Sequence, residues 1–142
     1  MRARSPALAL ALLVAYVAIS RPAVAADTQG PLETAAYGWL ELLDAGRFSD
    51  AWRDAAPLLR DGVTQAEWET ATRKVRDKFG AIASRHVASK DYHRQIDGGP
   101  DGNYFTLRIV TSFVDGSEAV EVVTLMAGAD GTYRAVAYGI KR

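Results

Sequence analysis

The alternation of apolar and polar residues is clearest in residues 103–127, NYFTLRIVTSFVDGSEAVEVVTLMA. A period of two over this length is typical of β-strands, and Asp115-Gly116 in its middle is a hairpin turn signal. A two-residue loop at that point would place Ile109 opposite Val122. The inner side of the hairpin would then carry Phe105, Leu107, Ile109, Phe113, Val120, Val122 and Met126.

Two further strands follow from the glycine-containing turns at residues 97–102 and at Asp130-Gly131. Such turns, placed between segments of alternating hydrophobicity, are typical of an antiparallel meander. The four predicted strands cover residues 84–96, 103–114, 119–127 and 132–141.

The chain before residue 84 has helical periodicity, with apolar residues at a spacing of three and four. Residues that start or stop helices give the boundaries: Pro31 and Gly46 for the first helix, Ser49 and Pro57 for a short second helix, and the capping box Thr64 with Glu67, then Gly80, for the third. Helices followed by a meander predict an α+β fold, in which three helices pack on one face of a curved four-stranded antiparallel sheet. By analogy, this is the cone-like architecture of nuclear-transport-factor-2-like and cystatin-like folds.

The first 25 residues predict a secretory signal peptide. Arg2 and Arg4 precede a short apolar run over residues 7–19, and the small residues Ala23-Val24-Ala25 form a cleavage signal. We expect cleavage after Ala25, which leaves residues 26–142 as a single domain in the periplasm or secreted, with no attachment to the membrane.

The composition excludes several chemistries. The chain has no cysteine, so it can hold neither a disulfide nor a thiolate metal site, and it cannot be a lipoprotein. The full chain has 17 basic and 17 acidic residues, and cleavage removes three arginines, which gives the mature chain a net charge of −3. Because nucleic-acid binding needs a basic surface, we expect no nucleic-acid partner.

No residue pattern predicts a catalytic or cofactor site. His86 and His93 are seven residues apart in a strand and should face opposite sides unless a bulge intervenes, so we expect no metal. The sequence has neither a nucleophile-elbow serine nor a phosphate-binding loop, and we expect no cofactor. The strand carboxylates are Asp91 and Glu121, and the parity of Glu121 predicts that it faces outward, diagonal to Arg108.

Two sets of apolar residues are candidates for binding. The pocket candidates are the aromatic residues Trp39, Trp52, Trp68, Phe105 and Phe113. The interface candidates are residues with outward parity on the sheet, Val110, Val123, Leu125 and Tyr138. An apolar outer face favours a covering partner, most simply a second copy in a homodimer.

Several segments together resemble a family of small exported bacterial proteins, domain of unknown function family 4019. They are Gly38-Trp39-Leu40, residues 44–48, Ala51-Trp52, residues 55–60, Thr111-Ser112-Phe113, residues 119–124 and residues 130–134. Tyr133 departs from the tryptophan expected in that family. The resemblance implies the fold and the compartment, and it implies no catalytic residue.

Three functions remain open at this stage. We expect an exported, non-catalytic domain that binds a small apolar ligand or a periplasmic protein. The alternatives are an enzyme that uses a pocket carboxylate as a general base, and a purely structural homodimer.

Overall fold

The computed structural model describes residues 29–142, so the predicted signal peptide and its cleavage site lie outside the described residues. Four helices come first: α1 (Pro31–Asp44), α2 (Phe48–Asp54), α3 (Pro57–Gly62) and α4 (Gln65–Arg76). Four strands follow: β1 (Ile82–His93), β2 (Tyr104–Phe113), β3 (Glu118–Ala127) and β4 (Tyr133–Lys141). The α+β prediction is confirmed. Within this part of the chain, no helix is long and apolar enough to cross a membrane.

The helix boundaries follow local chemistry. In the predicted capping box, the Thr64 hydroxyl accepts from the Glu67 backbone at 3.2 Å, and the Glu67 carboxylate accepts from the Thr64 backbone at 3.0 Å. Pro57 lies in the first turn of α3, where its missing N–H costs nothing. The chain after Pro57 therefore forms a short helix in addition to the three that the sequence predicts. The second helix begins at Phe48, before the cap predicted at Ser49.

The strands form one open antiparallel sheet in the order β1-β2-β3-β4. The helices cover one face, where the core contains residues of α1 together with residues of the central strands. The innermost side chains, less than 2% exposed, include Leu40, Leu107, Ile109, Val123 and Leu125. α3 is attached to β4 by a hydrogen bond from the Ala56 backbone to the Ala135 carbonyl oxygen at 2.9 Å.

The register of the central hairpin corrects the predicted facing of β3. Its loop has three residues, 114–116, closed by a bond from the Phe113 N–H to the Ser117 carbonyl oxygen at 2.9 Å, with Gly116 at φ 85°. Ile109 therefore pairs with Glu121 rather than with Val122. Because a shift of one residue turns every side chain to the other face, the predicted inward facing of β3 is wrong. The observed register places three partly exposed residues of β3 on the outer face of the sheet: Val120, Val122 and Met126.

The first strand also contains register shifts. One lies between Val87 and Ser89, so that His86 pairs with Val110 and His93 pairs with Tyr104. Both histidines therefore share the outer face, and the prediction of opposite faces is wrong because a bulge intervenes. Their β2 partners are six residues apart, about 20 Å at about 3.4 Å per residue, so the two imidazoles lie too far apart to share an ion.

Candidate functional site

The carboxylate of Glu121 is fully buried, on the face of β3 that the helices cover. Oε1 accepts from the Thr111 hydroxyl at 2.6 Å and from Arg85 Nε at 2.8 Å. Oε2 accepts from the Tyr138 hydroxyl at 2.8 Å and from Arg76 Nη1 at 3.3 Å. A carboxylate has about four acceptor positions, so this one is saturated. The predicted outward facing of Glu121 is wrong.

Asp44, the last residue of α1, completes this charge network. Its carboxylate accepts from Arg76 Nη2 at 2.5 Å and from both terminal nitrogens of Arg85, at 2.5 and 2.8 Å. Two carboxylates thus face two guanidinium groups, which balances the buried charge. The network connects α1, α4, β1 and β3, and Tyr138 adds β4.

The network shifts the pKa of two members. Burial acts to lower the pKa of Arg85, but the hydrogen bonds to Asp44 and Glu121 outweigh it and hold that pKa above its usual value. Burial raises the pKa of the Tyr138 hydroxyl, and the adjacent Glu121 charge raises it further. Both shifts favour the forms that hold the helices on the sheet, a charged arginine and a neutral tyrosine.

A second feature is a cleft of about 400 Å³, lined by residues of α1, α2, α3 and β4 and by Leu125 of β3. We call it the Arg60 cleft. Its apolar walls include Trp39, Leu42 and Tyr133, and its polar lining contains three arginines, Arg53, Arg60 and Arg134, and one carboxylate, Asp54. Binding sites for small molecules commonly have this mixture of apolar walls and a few polar groups.

The three arginines of the cleft differ in how their charges are paired. Arg53 is bonded to Asp50, and Arg134 lies 3.8 Å from a carboxylate oxygen of Asp130. Arg60 is half-buried, and over residues 29–142 its guanidinium takes part in no ion pair. Its Nε is buried without an acceptor. A buried donor without a partner costs free energy, so the position of Arg60 is unfavourable in the unliganded protein.

Gly38 lines the cleft from the middle of α1. A Cβ built at this position meets nothing within 4 Å, and the backbone does not have positive φ. Glycine in a helix interior is less favourable than alanine by about 1 kcal/mol. Neither backbone conformation nor close packing requires glycine here, and its effect is to keep the cleft wall open.

The structure brings one of the five pocket candidates, Trp39, into the cleft wall. Trp39, Trp52 and Trp68 each donate their indole N–H to a backbone carbonyl oxygen at 2.9 Å, which connects the helical segments. Phe105 and Phe113 pack against other aromatic rings, at centroid distances of 5.3 to 5.7 Å. The contacts of the other four candidates are packing contacts.

The interface candidates do not share the outer face. Val123 and Leu125 are 0% and 1% exposed in the core, so their predicted outward facing is wrong, for the reason given by the three-residue loop. Tyr138 points inward to Glu121. Val110 lies on the outer face with two partly exposed valines of β3. The homodimer itself stays a prediction.

Comparison with known proteins gives a family and no activity. A family model described as "Protein of unknown function (DUF4019)" matches residues 35–138. One similar solved structure, from Catenulispora acidiphila, is 13% identical, with 78% of this chain and 88% of that chain covered at a TM-score of 0.49. Another, Aln2 from a Streptomyces species, is 12% identical, with 79% and 88% covered at a TM-score of 0.47. No curated protein matches.

Proposed function

We propose that this chain, which belongs to the DUF4019 family of proteins of unknown function, acts after export as a non-catalytic binding domain. Its ligand site would be the Arg60 cleft. The observation that carries this proposal is the half-buried guanidinium of Arg60, which has no partner in the described chain and lies on the wall of a cleft with aromatic sides. A small molecule in the cleft would supply an acceptor for the terminal nitrogens of Arg60.

The open wall at Gly38 supports the same site independently. Alanine at position 38 would stabilise α1, because there is space for a Cβ and the backbone conformation does not require glycine. Positions that break a local rule without a structural reason are often functional. An occupied cleft gives such a reason, because any larger side chain would reduce the space for a ligand.

Binding is favoured over catalysis by the state of the carboxylates. A general base must reach the proton that it removes. The acceptor positions of Glu121 are all occupied by donors of its own chain. The carboxylate in the lining of the Arg60 cleft is Asp54, which is exposed rather than held against apolar walls. Neither residue has the environment that the enzyme alternative requires.

The location in the periplasm rests on the predicted signal peptide. The basic start, the short apolar run and the small residues at positions 23–25 are the support for it. Fractionation of cells that express the full chain tests this part, with the mass of the periplasmic form measured intact. A mature protein that begins at Ala26 is expected, and an uncleaved chain held in the membrane fraction would contradict it.

Filling the cleft from Gly38 tests the binding site. Thermal unfolding of residues 26–142 would be measured with millimolar indole, benzamide and benzoate. Gly38 lines the cleft and a Cβ there meets nothing within 4 Å, so Gly38→Leu should add a side chain to the cleft. Gly62→Leu, at the end of α3, is the matched control, because a Cβ there also meets nothing within 4 Å. We expect at least one probe to raise the melting temperature of the wild type and of Gly62→Leu but not of Gly38→Leu. A shift that survives in Gly38→Leu, or none with any probe, would contradict the site.

A further inference from the structure

The charges on the wall of the Arg60 cleft favour an anion. Three guanidinium groups line it against one carboxylate. The charge of Arg53 is compensated by Asp50, whose pKa is lowered by hydrogen bonds first from Arg53 and then from Arg47. Arg134 has Asp130 within 3.8 Å. Arg60 is therefore the arginine of this wall that forms no ion pair with the described chain, and because Asp54 is exposed, water screens the charge of Asp54 more than that of the half-buried Arg60.

Taking a charge partly out of water costs free energy unless an opposite charge or hydrogen bonds replace the water. The partial negative charge at the C-terminal end of α3 replaces little of that water, because a helix of six residues has only a small dipole. The Nε of Arg60 is already out of reach of water and has no acceptor. Arg60 is a lining residue of the cleft and its terminal nitrogens are not buried like Nε, so an acceptor that enters the cleft can meet them.

The shape of the cleft indicates what the anion is attached to. The half-buried Tyr133 presents aromatic surface and Leu42 adds aliphatic surface, whereas Trp39, at 6% exposure, adds little. A volume of about 400 Å³ is at the small end of the usual range for ligand sites, about 300–1,000 Å³. These walls fit a body of one or two flat rings.

The charge of the ligand follows from the number of unpaired arginines. A planar guanidinium fork matches a carboxylate, which can accept two parallel hydrogen bonds. A phosphate dianion would need a second uncompensated cation, and the described part of the cleft wall does not offer one. We infer that the Arg60 cleft binds a small aromatic or cyclic monocarboxylate, with the carboxylate on Arg60. This inference rests on the proposed function.

Benzoate and benzamide form a matched pair of probes, since they differ in charge but hardly in size. Calorimetric titration of residues 26–142 should give a dissociation constant for benzoate at least tenfold below that for benzamide. Arg60→Met should abolish this preference by weakening benzoate at least tenfold, whereas Arg60→Lys should retain part of it, because the charge remains without the fork. Arg108→Met, on the outer face, is the control and should change nothing.

The outcomes separate this inference from the proposed function. Equal affinities for the two probes, or benzoate binding that is unchanged in Arg60→Met, would overturn the assignment of a carboxylate ligand and leave the cleft as a binding site. If neither probe binds the wild type, the carboxylate inference fails. If in addition no probe raises the melting temperature, the proposed function fails as well. The circular dichroism spectrum of each variant is compared with that of wild type, so that a loss of binding is interpreted only where the variant is folded.

Discussion

The buried carboxylate of Glu121 gives the sharpest test of how the helices are held on the sheet. Glu121→Gln keeps the shape of the side chain but replaces one oxygen by an NH₂ group. Whichever oxygen is replaced, the arginine on that side loses its acceptor and donor faces donor, whereas the hydroxyl on that side, of Thr111 or Tyr138, can rotate to accept from the new NH₂ group. Arg76 and Arg85 also lose the charge that faces them from β3.

The magnitude follows from the bond and the charge that are lost. The one hydrogen bond that cannot be reformed contributes about 1.5–3 kcal/mol, because its acceptor is charged. Removing the charge of one partner of a buried ion pair costs about 3–5 kcal/mol, and this larger figure sets the expected loss because both arginines lose the charge of Glu121. Domains of this size have a free energy of unfolding of about 5–15 kcal/mol, so the variant should lose a large fraction of its stability.

Urea unfolding of residues 26–142, followed by far-ultraviolet circular dichroism, measures this loss. With a denaturant slope of about 2 kcal/mol per molar, the midpoint should fall by about 2 M. Asp44→Asn is the matched comparison, because Asp44 bonds the same two arginines from a position where its side chain is 25% exposed. It should lose less stability. A Glu121→Gln midpoint close to wild type, or a larger loss in Asp44→Asn, would refute the reasoning.

Three further predictions concern single positions. Val123→Glu should prevent folding because it buries an unpaired charge, whereas Val122→Glu should leave the circular dichroism spectrum unchanged, and sedimentation of the latter also shows whether the outer face holds a homodimer. The raised pKa of Tyr138 means that its contribution to stability is complete below about pH 10, the pKa of an unfolded tyrosine, and is lost as the pH rises further. The urea midpoint of wild type should therefore fall more steeply above pH 10 than that of Tyr138→Phe. Thr64→Ala removes a helix cap and should lower the free energy of unfolding by about 1 kcal/mol, measured by the same urea titration.

The elements of the fold follow from local sequence, and their boundaries lie within a few residues of the prediction. The error in the central hairpin came from one residue of loop length. In the observed loop, Asp115 accepts from the backbone and hydroxyl of Ser117, and Gly116 has positive φ. The same pattern recurs at residues 130–132. Serine or threonine directly after Asp-Gly was the available signal for a three-residue loop with a bulge.

The facing of Glu121 could not be predicted from β3 alone. The face with Val120 and Val122 is the more apolar one locally, but the structure exposes it partly and buries the face with Glu121. What decides the facing is the pair of arginines, 45 and 36 residues earlier in the chain, that meet Glu121 in the folded protein. Contacts at such separations are invisible to local periodicity.

The Arg60 cleft was predictable only in part. Trp39 was one of the five aromatic residues predicted as pocket candidates. Gly38 and Arg60 lie within the segments that carried the family resemblance, but periodicity gave them no role. An isolated glycine inside a helical pattern was the available signal, because it needs a packing or functional reason. That Arg60 forms no ion pair with residues 29–142 depends on the packing of α3 against β4 and had no sequence signal.

Mapping benzoate on the surface by nuclear magnetic resonance tests the central claim most directly, that the Arg60 cleft is the binding site. Backbone amide and indole shifts of residues 26–142 would be followed during a benzoate titration. The account predicts saturable changes centred on Gly38, the Trp39 indole and Arg60, and their loss in Gly38→Leu. Saturable changes centred on α4 or the outer face of the sheet would contradict it, and no saturable change would contradict the carboxylate ligand inferred for this cleft.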